Sequence, residues 1–211
     1  MSANARAAAW SAEGTALLLA TVEGLTDDEL SGPSALPGWT RRHVLAHVAS
    51  NAEALGRLLH WARTGERTPM YASPERRAAD IEEGARRPAP QLRSWARESA
   101  EALAAASAEL PQRAWSAEVV TAQGRTVTAA EVPWMRAREV CVHAVDLAAG
   151  VTFADLPEGF CAALAAEVTA RRAARDELPA AGLAGLTPPD LAAYLTGRAV
   201  PEGLPKLPPW L

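Results

Sequence analysis

The chain has 211 residues, 49% of them hydrophobic, and a formal net charge of −4. That is enough apolar material for one good core, or for one core and a small appended unit. The mildly acidic balance, with no long run of one sign, excludes the basic stripe that a nucleic-acid partner requires. The apolar stretches are short and broken by Arg, Glu or Pro, so no membrane span and no signal-peptide core is expected, and the protein is expected to be cytoplasmic. Cys141 and Cys161 are too few for a disulfide framework and lack zinc-finger spacing; free thiols are expected.

In chain order, residues from about Ser2 to Glu23 carry Trp10, Leu17, Leu18, Leu19 and Val22 as an apolar stripe fit for a first helix, stopped by Gly24. A short capped turn at Thr26–Leu30 and a Pro/Gly loop at Ser31–Gly38 follow. Thr40 is placed to cap a second helix that runs to about Thr64, with Val44, Leu45, Val48, Leu55, Leu58 and Leu59 inward and Gly65 as its stop. Helical patterns at 73–86 and 89–109 are separated by Pro88 and Pro90. From Trp115 to Thr128, β-branched and polar residues alternate around Gln123-Gly124, which predicts a β-hairpin. The hairpin delivers the chain to a helix from about Pro133 to Leu147, ended by Gly150. Beyond it lie an amphipathic helix at 157–172, a short helix from Thr187 to about Gly197, and a tail held extended by its prolines.

Four long helices with one hairpin predict a mainly α protein, an antiparallel four-helix bundle over 1–150 followed by a small C-terminal unit over 151–211. The helix at 133–147 is the element around which the rest is organised. Glu139 and His143 are four residues apart and so share one helix face, and Val140, Val142, Ala144, Val145 and Leu147 make the remaining sides apolar. A carboxylate and an imidazole turned inward need partners. His43 and His47 form a second i,i+4 pair on the second helix, with His47 in phase with the Leu/Val stripe; His60 has no such companion and is expected to be partly exposed. Bundles place metal sites between facing helices. His47 with Glu139 and His143 is a three-ligand set suited to a catalytic zinc, which keeps one position open, whereas a fourth ligand from His43 would close the site and make it structural.

Three stretches resemble one family: Leu36-Pro-Gly-Trp-Thr-Arg-Arg-His-Val-Leu-Ala-His47, Pro133-Trp-Met-Arg-Ala-Arg-Glu-Val-Cys-Val-His-Ala-Val-Asp146, and Asp190-Leu-Ala-Ala-Tyr-Leu-Thr-Gly-Arg198. Together, and in this order, they resemble the mycothiol-dependent maleylpyruvate isomerases. The resemblance implies a DinB-like bundle, a zinc ion on His47, Glu139 and His143, and a C-terminal arginine matching Arg198. About sixty residues follow Gly150, without a strong strand pattern, so the C-terminal unit is expected to be shortened relative to an α+β one.

The chemistry implied is an addition and an elimination. A thiol with a pKa of about 8.5 is mostly protonated at neutral pH, and zinc would make the mycothiol sulfur a thiolate. Added to the cis double bond of maleylpyruvate, it would leave a single bond free to rotate, and its loss would release fumarylpyruvate. An anionic substrate calls for a guanidinium, with Arg198 the first candidate and Arg138 a weaker one. Asp146 could orient a ligand imidazole or cap the helix end. Zinc, mycothiol as cosubstrate, a small-molecule substrate and a monomer or homodimer are thus expected. The alternatives are a mycothiol S-transferase on the same scaffold and a non-catalytic, zinc-stabilised interaction module.

Overall fold

The computed structural model describes residues 3–210 and divides into two compact units, Met1–Gly150 and Val151–Leu211. The first unit is helical apart from one hairpin. It contains α1 (Ala3–Glu23), α2 (Asp27–Ser31), α3 (Arg41–Thr64), α4 (Pro74–Ala85), α5 (Ala89–Ala108), β1 (Glu118–Val120), β2 (Thr126–Thr128) and α6 (Val132–Asp146). The bundle is formed by α1, α3, α5 and α6: α1 packs on α6 and α5, and α3 packs on α5 and α6. Among the described residues no helix is long and apolar enough to cross a membrane.

The direction of the chain through the bundle is set by α4. Arg42 reaches the carbonyl of Ala85, His43 approaches Glu82, and Arg77 meets His47, so α4 runs back along α3. α5 then starts again at the same end as α3, with Trp95 donating to Glu53 and Leu103 joining Leu55, Leu58 and Leu59 in the core. α3 and α6, by contrast, are antiparallel: His47 meets Glu139, Val48 and Asn51 meet Arg136, and Leu55–Leu59 share a cluster with Val132. The expected antiparallel relation therefore holds for α3 and α6, while α4 makes α3 and α5 run the same way.

Two glycines allow the helices to close up. A Cβ on Gly14 would lie 2.5 Å from Sγ of Cys141 and 2.8 Å from the Val140 side chain, so glycine lets α1 settle directly on α6. A Cβ on Gly84 would meet the Trp95 ring at 2.6 Å and Ala46 at 2.9 Å. The pairing Val119↔Val127 turns both valines of the hairpin inward, where they cover the apolar end of α3 together with Met70 and Leu110. Cys141 and Cys161 are both buried, and neither is in a disulfide.

The second unit holds α7 (Phe160–Ala173) and α8 (Pro188–Leu195), packed on each other, and among its described residues no strand. Thr187 caps α8 by accepting from the Asp190 amide. Arg172 of α7 is buried and acts as a clamp, donating to the carbonyls of Leu195 and Pro208 and to the Glu177 carboxylate. A buried guanidinium has five donors to satisfy, and these three acceptors tie the tail to the helices. Tyr194 adds a bond from its hydroxyl to the carbonyl of Pro205.

Candidate metal centre

Two helix segments deliver the site. α3 is capped by Thr40, whose amide donates to Nδ1 of His43 at 3.2 Å and whose hydroxyl lies 2.7 Å from the same nitrogen. His43 thereby serves as the reciprocal partner in the helix cap, its Nε2 is 3.4 Å from Glu82, and its ring stacks on Trp39. One turn later His47 is 5% exposed and points between the helices. α6 supplies the rest from a single face: Arg136, Glu139, His143 and Asp146 follow at steps of three, four and three. The C-terminal end of that helix is held by Arg41, which donates to the carbonyls of Leu147 and Ala148.

The geometry is compact. Oε2 of Glu139 lies 2.9 Å from Nε2 of His47 and 3.4 Å from Nε2 of His143, and the two imidazoles meet edge to face with centroids 4.8 Å apart. One ligand atom from each of the three residues falls within 4.8 Å of the others; among the described residues this is the one group of three or more such side chains. Behind it, Nδ1 of His143 donates to Oδ2 of Asp146 at 2.9 Å, and the Asp146 side chain is fully buried. Beneath it, buried Arg136 donates to the Val48 carbonyl and to Oδ1 of Asn51.

Electrostatics explain how the fold tolerates this cluster of buried ionisable groups. Burial disfavours the charged form of His143, but the hydrogen bonds to Asp146 and Glu139 outweigh it and lift the imidazole to about 9. Burial also opposes ionisation of Glu139, and the two imidazoles overcome it and hold the carboxyl well below its usual range. For His47 burial wins over Glu139, and its pKa is lowered, so this imidazole is neutral at pH 7. Burial brings the Arg136 guanidinium down to about 10, with Glu139 opposing that shift.

The donor set fits a divalent transition metal. Two imidazole nitrogens and one carboxylate are the ligands of a three-ligand catalytic zinc site, whose bonds of about 2.1 Å place tetrahedral ligands about 3.4 Å apart; the two carboxylate–imidazole distances, 2.9 and 3.4 Å, lie near that spacing. A ligand histidine whose second nitrogen is held by a buried carboxylate is the usual outer arrangement of such sites, and Asp146 provides it. His43 is not part of the group, so the four-ligand arrangement considered from sequence does not form.

The other residues singled out from sequence fall elsewhere. His60 is exposed. Arg138 is half-buried and stands about 100° around the helix from Glu139, off the face of the cluster. Arg198, at the turn after α8, donates to the Thr196 carbonyl at 2.7 Å and sits 5.8 Å from the centre of the Trp210 ring. Sequence reasoning missed Arg136 and Asn51, although Arg136 was legible as the next polar position on the face of Glu139. It also missed Arg77, Tyr71 and Trp39, which border the cluster from α4 and from loops, where no periodicity points to them.

The sequence model of the mycothiol maleylpyruvate isomerase N-terminal domain matches residues 11–148. No curated protein sequence matches the chain. Among solved structures, the chain resembles the crystal structure of the mycothiol-dependent maleylpyruvate isomerase, at 37% identity and a TM-score of 0.91, over 99% of this chain and 98% of that one. A histidine-to-alanine mutant of that isomerase matches at 37% identity and a TM-score of 0.89, with the same coverage. A domain match that runs from α1 to the end of α6, joined to a likeness with a solved enzyme along nearly the whole chain, places this protein in the mycothiol maleylpyruvate isomerase family, a family of enzymes.

Proposed function

We propose that the protein is a zinc-dependent and mycothiol-dependent maleylpyruvate isomerase. The observation that carries this reading is the three-ligand group of His47, Glu139 and His143, with His43 engaged in the helix cap and a coordination position therefore left for a thiol. His47 and His143 would hold the ion through Nε2 and Glu139 through a carboxylate oxygen, while Asp146 fixes the tautomer and orientation of His143. Bound there, zinc lowers the pKa of a thiol so that it is a thiolate at neutral pH.

The reaction needs no redox change. The thiolate sulfur adds to the conjugated carbon–carbon double bond, the electron pair moves toward the keto oxygen, the new single bond rotates, and expulsion of the same thiolate restores the double bond in the trans form. The substrate is an anion throughout, and developing oxyanion charge is stabilised by positioned cationic donors. Arg198 is assigned to a substrate carboxylate, because its planar fork pairs bidentately with such groups. The same three-ligand geometry disfavours a purely structural module, which would have closed the site.

The test is turnover of maleylpyruvate by zinc-reconstituted protein, with fumarylpyruvate formation expected to require both the metal and mycothiol. Consumption of mycothiol on other electrophiles, with maleylpyruvate inert, would replace the reading by an S-transferase. No thiol-dependent turnover of any electrophile would return it to a non-catalytic module. Arg198→Ala is expected to keep zinc, to lose at most about 1 kcal/mol of stability, and to lose two to three powers of ten in kcat/KM; Arg198→Lys should recover little of it, since an ammonium lacks the fork.

A further inference from the structure

Arg136 is 3% exposed and stands on the α6 face that carries Glu139, three residues before it. It has no carboxylate within ion-pair distance among the described residues. One nitrogen makes both of its bonds: Nη1 donates to the Val48 carbonyl at 2.7 Å and to Oδ1 of Asn51 at 3.0 Å. Nε and Nη2 meet no acceptor among the described residues, yet neither is sealed from solvent. Asn51 repeats the pattern. Because its Oδ1 accepts from Arg136, the NH2 group is the free end, and it too meets no acceptor among the described residues, on a residue 5% exposed.

Buried donors in excess of acceptors point to an acceptor from outside the chain. The shape of the free group defines its chemistry. Nε and Nη2 lie on the same edge of the guanidinium, so their N–H bonds run parallel and form the fork that a planar carboxylate fills with two oxygens. Charge points the same way, since a buried guanidinium without a paired carboxylate costs free energy that an anion offsets. Glu139 acts on Arg136 only at a distance, its carboxylate being engaged by His47 and His143. Arg77, which borders the cluster from α4, is engaged as well, by Nδ1 of His47 and the Tyr71 hydroxyl. Helix periodicity sets the location. Asn51 lies one turn from His47 on α3 and Arg136 one turn from Glu139 on α6, so the free donors form a floor roughly 5 Å from the ligand residues.

Resting on the isomerase reading above, we propose that Arg136 and Asn51 form a buried carboxylate subsite at the floor of the metal centre, which takes the substrate carboxylate attached to the double bond. The Arg136 fork holds the two carboxylate oxygens, and the Asn51 amide donates to one of them. The bonds of Nη1 to Val48 and Asn51 fix the plane of the guanidinium before the substrate arrives, so little order has to be created on binding. Of the two substrate carboxylates this one is nearest the reacting carbons, which suits a receptor one helical turn from the ligand residues.

The test is calorimetric titration of zinc-loaded protein with maleate, which carries the same carboxylate on a cis double bond, in the absence of any thiol. Arg136→Met is expected to keep one zinc per chain and to bind maleate at least about tenfold more weakly, and Asn51→Ala about three- to tenfold more weakly. Unchanged maleate affinity in zinc-loaded Arg136→Met would overturn the proposal. Should that variant fail to fold or lose its zinc, a crystal structure of the unsubstituted, zinc-loaded protein with maleate decides. A carboxylate oxygen within hydrogen-bonding distance of Nε or Nη2 of Arg136 supports the subsite; water alone at those nitrogens, or maleate held by the ion alone, overturns it. Neither readout involves turnover. Maleate held by Arg136 in a protein that fails to isomerise maleylpyruvate would refute the isomerase reading alone, and isomerisation by Arg136→Met with an unchanged KM would refute the subsite alone.

Discussion

Helices α3 and α6 face each other over two stretches of opposite chemistry. At one end Leu55, Leu58 and Leu59 of α3 share an apolar cluster with Val132 of α6, covered by Met70 and by Val119 and Val127 of the hairpin. At the other end the same two helices present His47 and Asn51 to Arg136, Glu139 and His143, and that end stays partly open, with 23% of the Glu139 side chain and 14% of the His143 side chain exposed. Apolar burial at the first end contributes stability in proportion to area removed from water. Polar burial at the second costs free energy unless each group finds a partner, and the bonds from Arg136 to Val48 and Asn51 and from His143 to Asp146 supply those partners. One end supplies the apolar burial that makes the bundle fold, and the other uses the rigidity so obtained to hold a set of donors.

If that division is right, changes at the two ends should affect different measurements. The largest effect is expected from the ligands: His47→Ala, Glu139→Ala or His143→Ala should each abolish stoichiometric zinc, read by elemental analysis, while circular dichroism keeps most of the helical signal. Retention of full zinc by all three would remove the site. Leu58→Ala should do the reverse, costing about 3 kcal/mol in denaturant unfolding through transfer and cavity terms, with one zinc per chain unchanged.

Smaller, and more specific, is the pH dependence of the metal-free protein. The His143 pKa is raised in the fold, to about 9 from an ordinary value of about 6.5, so its contribution is fully present below pH 6.5 and is lost as pH rises through 9. Chelator-treated protein should therefore lose of order 1–3 kcal/mol of stability between pH 6.5 and 9, and Asp146→Asn should flatten that slope. A flat profile in the unmodified protein would contradict the ion pairs as described. The smallest effect belongs to His43→Ala, which should keep zinc and lose about 1 kcal/mol with the reciprocal helix cap.

The elements were largely legible because their signals are local. The apolar stripe of α3, the Thr40 start and the Gly65 stop place that helix at Arg41–Thr64, and the Gln123-Gly124 turn sits between two strands that pair as a hairpin. Polar residues recurring on one face of α6 were visible in the same way, because an i,i+4 spacing depends on nothing beyond the helix itself. Arg77 and Tyr71 were not visible, since nothing in the helical pattern at 73–86 distinguishes Arg77 from Arg76 or Arg86. The fate of His43 was equally hidden. Its spacing to His47 matches that of Glu139 to His143, yet a hydroxyl and an amide at Thr40 claim it first.

Sequence by itself determined which residues can act: the helical periods, the stops, and the two pairs of ligand-type side chains. Tertiary structure alone decided which of them meet. Packing α3 against α6 brought one histidine of the first pair to the carboxylate 92 positions away, and running α4 back along α3 set Arg77 behind that histidine. The reason is physical. Periodicity encodes which face of a helix is buried, whereas the partner of a buried polar group is fixed by the register and direction of neighbouring helices, which close-packed contacts such as those at Gly14 and Gly84 determine and no local pattern records.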